Sequence, residues 1–157
     1  MNAALITGLT NEWKLAVSGS DLFVTEFGNT GVGAGRIGEY TTSGATVNAA
    51  LVSGLSNPTG IALSGSNIFV ANSLNGTIGE YTTSGATVNA SLITGLVGLN
   101  GIAVSGSDLF VTGSNAAGNT GVIGEYTASG ATVNASLITM SERSPTGIAV
   151  SGSNLFV

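Results

Sequence analysis

The sequence predicts an all-β fold: a β-propeller of four-stranded antiparallel blades, with about three and a half blades forming a single segment over residues 1–157. Two observations carry that expectation. One phrase recurs from Asn2, Asn48, Asn89 and Asn134, at spacings of 46, 41 and 45 residues, and a repeat period in the forties points first to propellers. Within each copy the apolar residues fall in short runs that end in Gly, Ser, Thr or Asn, too brief and too dense in helix-opposing residues for a globular helix.

The second copy shows the strands in order: Ala49-Ala50-Leu51-Val52, Gly60-Ile61-Ala62-Leu63, Asn67-Ile68-Phe69-Val70 and Thr77-Ile78-Gly79-Glu80-Tyr81-Thr82. Ser64-Gly65-Ser66-Asn67 joins the second and third of these, and Ser18-Gly19-Ser20-Asp21, Ser105-Gly106-Ser107-Asp108 and Ser151-Gly152-Ser153-Asn154 stand at the same place in the other copies. Gly, Asn and Asp accept the positive φ of tight hairpins, so the flanking strands are expected to be antiparallel neighbours, as in a blade and unlike a parallel β-helix. Ile68 and Phe69 are both apolar although they point to opposite faces of one strand. A sheet that is apolar on both faces needs a sibling on each side.

The phrases Pro58-Thr59-Gly60-Ile61-Ala62-Leu63, Asn67-Ile68-Phe69-Val70 and Gly76-Thr77-Ile78-Gly79-Glu80-Tyr81 resemble NHL-type blades and related six- or seven-bladed propellers, and the resemblance runs along the whole chain. It implies the fold, and for function it implies anything from ligand binding to lactone hydrolysis. The hydrolase relatives hold a metal on acidic and amide ligands in the central channel. The innermost stretches here (Leu15 to Val17, Ile61 to Leu63, Ile102 to Val104 and Ile148 to Val150) carry no carboxylate, so that activity is not carried over. The charge-poor, Ser-, Thr- and Asn-rich wording is similar to propeller repeats of bacterial exported proteins, which implies an extracellular or cell-surface location.

Only 7% of the residues are charged, against roughly 25% in ordinary soluble domains. Three basic side chains, Lys14, Arg36 and Arg143, face eight acidic ones. Nucleic acid is therefore not an expected partner, and apolar runs well short of about 18 residues argue against membrane insertion. Cysteine and histidine are both absent, which removes thiol chemistry, the usual transition-metal ligands and the usual base near neutral pH. The expectation is a chain with no catalytic residues, no metal and no cofactor, acting as a binding module or scaffold, or alternatively as a structural component of a self-assembling ring or filament, and not as an enzyme. The catalytic alternative, a hydrolase or lyase, would need two carboxylates brought together from Glu12, Glu26 and Glu142.

Taken in chain order, the strands are one outer strand, three complete blades, and the two inner strands of a fourth ending at Phe156-Val157. Asn2 to Ile6 could serve as an outer strand donated across a ring closure. Closed propellers use about four to eight blades and leave no naked edge. The expected partner is thus another copy of the chain or the remainder of the propeller.

Comparing the copies separates a standardised face from an individual one. The innermost residue lies eight positions before the phenylalanine in every copy (Leu15 to Phe23, Ile61 to Phe69, Ile102 to Phe110, Ile148 to Phe156). The link between the second and third strands varies, with Phe23 to Ile37, Phe69 to Ile78 and Phe110 to Ile123 spanning fourteen, nine and thirteen. Variable loops on a rigid scaffold are where binding residues gather. The candidate binding face, for a protein or glycan ligand, comprises Glu12, Trp13, Lys14, Glu26, Phe27, Arg36, Glu142 and Arg143, with the lone tryptophan as its first anchor. Glu39, Glu80 and Glu125 recur in Ile-Gly-Glu-Tyr, but the blades should hold them apart, as calcium ligation cannot tolerate. Asp21 and Asp108 alternate with Asn67 and Asn154, which suits a turn role better than a charge role.

Overall fold

The computed structural model describes residues 5–28, 33–141 and 145–157. Among them are three four-stranded antiparallel sheets and a two-stranded hairpin, and no helix. Blade 1 is β1 (Glu12–Ser18), β2 (Asp21–Glu26), β3 (Gly35–Thr41) and β4 (Thr46–Leu55); blade 2 is β5 (Pro58–Ser64), β6 (Asn67–Asn72), β7 (Thr77–Thr82) and β8 (Thr87–Ile93). Blade 3 is β9 (Ile102–Ser105), β10 (Asp108–Ser114), β11 (Gly121–Thr127) and β12 (Thr132–Met140), followed by the hairpin of β13 (Ala149–Ser151) and β14 (Asn154–Phe156). Spatial order follows chain order within each sheet, as in a propeller blade, and the first strands β1, β5, β9 and β13 stand side by side.

The hairpins form as the sequence predicts. Ser64 pairs with Asn67 around Gly65, whose φ of +57° is open to glycine at no steric cost. Successive side chains of the second strand then go to opposite faces. Ile68 packs with Phe23, Ile37 and Val52 of blade 1, whereas Phe69 packs with Ile102, Leu109 and Val111 of blade 3. The core therefore lies mainly between blades, with a smaller cluster of Leu22, Val24 and Tyr40 in blade 1 covered by Ile6 and Leu9 of the segment before it.

A second contact ties each blade to the next. The turn between third and fourth strands has glycine at Gly44, Gly85 and Gly130, with φ of +93°, +88° and +93°. A Cβ at Gly85 would come within 2.5 Å of the Leu51 carbonyl oxygen of blade 1, and one at Gly130 within 2.6 Å of that of Leu92 of blade 2. Only glycine meets both conditions, the left-handed backbone and the close approach.

Gly44 faces the carbonyl of Leu5 in the same way. The segment at Leu5 and Ile6 thus takes the place of a preceding outer strand, although these two residues form a bend; the rest of the expected donated strand, Asn2 to Ala4, falls outside the described residues. The structure also corrects the expectation that the innermost strands are free of carboxylate. A bulge between Glu12 and Lys14, where these pair with Glu26 and Thr25, carries β1 back to Glu12.

Candidate functional site

Each complete blade repeats one arrangement on the face turned towards its predecessor. The tyrosine of Ile-Gly-Glu-Tyr folds its ring back over the glycine two residues before it, so that a Cβ at Gly38, Gly79 or Gly124 would lie 2.7 to 2.8 Å from the ring of Tyr40, Tyr81 or Tyr126. The hydroxyl is thereby carried towards the end of the second strand, where the residue is Glu26 in blade 1, Asn72 in blade 2 and Gly113 in blade 3. Cross-strand pairing sets Arg36, Thr77 and Val122 beside those three positions.

In blade 1 this arrangement becomes a charged cluster. Glu26 is buried, and Arg36 grips it with a fork: Nη2 donates to Oε2 at 2.7 Å and Nε to Oε1 at 3.2 Å. Thr10 donates its amide N–H to Oε2 at 3.0 Å and its hydroxyl at 3.2 Å, and the Tyr40 hydroxyl donates to Oε1 at 3.3 Å. Burial pushes the Glu26 carboxyl up, but the Arg36 hydrogen bonds and charge together with the two Thr10 donors outweigh it and hold the group below the ordinary carboxylate range. Burial, followed by the Glu26 charge, raises the Tyr40 phenol. The sequence singled out Glu26 and Arg36 as loop-face residues. The structure instead joins them to each other as a clamp on the incoming Thr10 segment, and of the pair it is Arg36 that keeps contact with solvent. Thr10 and Tyr40 were not expected there; the Gly-x-Tyr spacing on a strand, which stacks ring over glycine, was the available signal.

Next to the clamp, the Trp13 and Phe27 rings stack with centroids 5.3 Å apart at 28°. The two links that carry them meet through the Phe27 N–H, which donates to the Asn11 carbonyl at 3.0 Å. The corresponding links of blades 2 and 3 also meet, through Ser73 N–H to Asn57 O and Ser114 N–H to Val97 O, so the variable connections share one face as expected. Trp13 is 51% exposed and lines a hollow of about 340 Å³ with Ile6, Leu9, Leu15, Leu22 and Val24. Lys14 lines both that hollow and a smaller cavity, the latter with Gly60 of β5 and with Gly101 and Gly147, which precede β9 and β13. Glu12 is exposed opposite Glu26. Glu142 and Arg143 fall outside the described residues.

The recurring glutamates stay in separate blades. Glu80 accepts from Asn67 Nδ2 at 2.8 Å, and among the described residues no three acidic side chains converge as a metal would require.

No family model and no curated protein matches the chain. Solved structures do. A chain of the nidogen/laminin complex aligns at a TM-score of 0.66 and 18% identity, over 92% of this chain and 70% of that one. A gluconolactonase from Xanthomonas campestris aligns at 0.69 and 14%, over 94% and 52%, and a luciferin-regenerating enzyme at 0.64 and 15%, over 90% and 50%. The fold is a β-propeller. This chain spans about half the length of the two enzymes, and at such identities the likeness concerns the fold. It also corrects one expectation, that the chain is not an enzyme: propellers of this shape include two proteins named as enzymes. The missing histidine and cysteine do not mark the chain as non-catalytic, because carboxylates can serve as acids, bases and nucleophiles. The propeller fold is shared by enzymes and by proteins solved in complexes, and the NHL-type assignment is finer than these likenesses reach.

Proposed function

We propose that this chain is a protein-binding propeller scaffold, and that its partner is a further propeller blade, supplied by a second copy. The reading rests on positional equivalence. Leu15 of blade 1 stands where blades 2 and 3 have Ile61 and Ile102, and those two are buried against the preceding blade. Leu15 is 59% exposed, and Val17 beside it is exposed as well. The opposite flank offers the matching group: Phe156 stands where Phe23 and Phe69 fill the observed blade contacts, and it is 57% exposed. Each end thus presents the chemistry that the other end's equivalents bury inside the chain.

Sedimentation of the full chain over a range of concentrations tests this. Association is expected, weakened by Leu15→Asp and by Phe156→Asp without loss of β-structure. A wild-type mass that stays monomeric throughout, or association indifferent to both substitutions, overturns it.

A second reading is favoured by the Trp13–Phe27 stack. Its exposed aromatic surface suits the flat apolar face of a sugar ring or of a partner's side chain. Trp13 is the sole tryptophan, so its fluorescence reports the site directly. A panel of oligosaccharides should contain one that shifts the emission saturably and loses affinity with Phe27→Ala. Unchanged emission across the panel removes the glycan arm.

A further inference from the structure

Blade 3 departs from its siblings at one point. Glu26 accepts the hydroxyl of Tyr40, and Asn72 takes that place beside the hydroxyl of Tyr81. Gly113 has no side chain to offer Tyr126. A Cβ there would come within 2.7 Å of the Val97 carbonyl, because the link from blade 2 approaches until that carbonyl accepts the Ser114 N–H at 2.8 Å. The link and the second strand thus bond backbone to backbone, bypassing the tyrosine. Tyr126 is only 4% exposed, and its hydroxyl has no hydrogen-bond partner among the described residues. Among the described residues no fully buried side-chain polar atom lacks a partner, so this hydroxyl faces open space, where blades 1 and 2 set a side chain beside the tyrosine.

Beside Gly113 and Tyr126 lies a cavity of about 220 Å³ that opens to solvent. Leu96, Leu99, Val111 and Val122 form its apolar walls, Tyr126 supplies a hydroxyl, and the exposed Ala135 and Ser136 give it access to solvent. No charged side chain lines it. A dry cavity of about 150 Å³ accommodates benzene, and sites for drug-sized ligands start near 300 Å³. The size therefore fits one ring with a substituent. Burial alone raises the Tyr126 phenol, so the hydroxyl keeps its proton at neutral pH and can donate it.

We propose that this cavity is a binding site for an uncharged, ring-sized organic molecule that presents a hydroxyl or carbonyl oxygen to the Tyr126 hydroxyl. The ligand oxygen takes the role that Glu26 and Asn72 play beside the tyrosine in the sibling blades, and the ring lies against the apolar walls. The site is independent of the flanks invoked above.

The test is a titration of the full-length, isotope-labelled chain with phenol, read from the backbone resonances of Gly113, Ser114 and Gly124, with benzene and benzoate alongside. Phenol should shift these three saturably while the matching resonances of blade 2 stay in place, and benzoate should not shift them. Tyr126→Phe should weaken phenol about fivefold or more, in keeping with one hydrogen bond, and should fold normally, because the hydroxyl it removes has no partner. Val122→Phe should abolish the shifts by filling the space, and Tyr81→Phe should leave them intact. Equal affinity for benzene and phenol, an unaltered affinity in Tyr126→Phe, or no saturable shift up to the solubility of phenol each overturns the proposal.

Discussion

Asn67 donates from Nδ2 to Glu80 Oε1 at 2.8 Å in blade 2, whereas the equivalent Asp21 in blade 1 sets a second carboxylate near Glu39. Burial first, and the charge of Asp21 second, raise the Glu39 carboxyl above its ordinary range. The turn position therefore does have an electrostatic consequence, although both residue types make the hairpin. Because the folded state favours protonated Glu39, the stability linked to it is present below the ordinary value of 4.5 and is lost as pH rises through the folded value. Asp21→Asn should stabilise the chain at pH 7 by about 0.2–1 kcal/mol. The gain should fade in acid, as urea midpoints at the two pH values would show.

The Glu26 clamp has the opposite sign. Its carboxyl sits below the ordinary 4.5, so the stability it contributes is present above that value and is lost as pH falls through the folded value. Glu26→Gln should cost about 1–3 kcal/mol at pH 7, nearer the lower figure because Arg36 remains in contact with solvent. Denaturant unfolding between pH 7 and 3 should show the variant losing less on acidification than the wild type. Parallel curves would show that the carboxylate is not what holds the Thr10 segment.

Gly85 and Gly65 both have positive φ, yet they should respond differently to substitution. Gly65 has no atom within 4 Å of a built Cβ, whereas Gly85 has the Leu51 carbonyl at 2.5 Å. Gly65→Asn should be nearly neutral, since Asn tolerates the left-handed region. Gly85→Ala should cost about 1–3 kcal/mol or more from backbone strain alone, with the crowding added. Thermal unfolding of the two variants makes the comparison.

Phe69 and Phe156 occupy equivalent positions in buried and exposed settings. Phe69→Ala should destabilise by about 3–5 kcal/mol, because it opens a void between blades 2 and 3. Phe156→Ala should leave the stability of dilute protein almost unchanged and act only on association, which separates folding from docking in one pair of measurements.

Much of this was legible from sequence because blade architecture is written locally. The forty-odd-residue period, the Ser-Gly-Ser hairpins and the double-sided Ile68-Phe69 strand each point to antiparallel sheets pressed between siblings, and the strands fall where those signals set them. The site was read less well, for two physical reasons. Glu26 and Arg36 are polar residues next to a variable loop, which from sequence alone looks like surface; their mutual neutralisation depends on cross-strand register that composition does not reveal. The cavity beside Tyr126 depends on how the link from blade 2 approaches Gly113, and it becomes visible only when the three tyrosines are superimposed. The enzyme question was misjudged for a different reason: absence of histidine is a statement about residue types, and catalysis depends on arrangement.

The turn glycines that receive Leu5, Leu51 and Leu92 give the chain a modular grammar. At each of these three seams the same carbonyl meets the same notch in the following unit, so tandem duplication of one unit would create no new kind of joint, and excision would leave none broken. Ring size is then a matter of the angle between units and not of any sequence unique to a closing piece, and lineages carrying this repeat could change their number of units by recombination without first inventing a compatible seam.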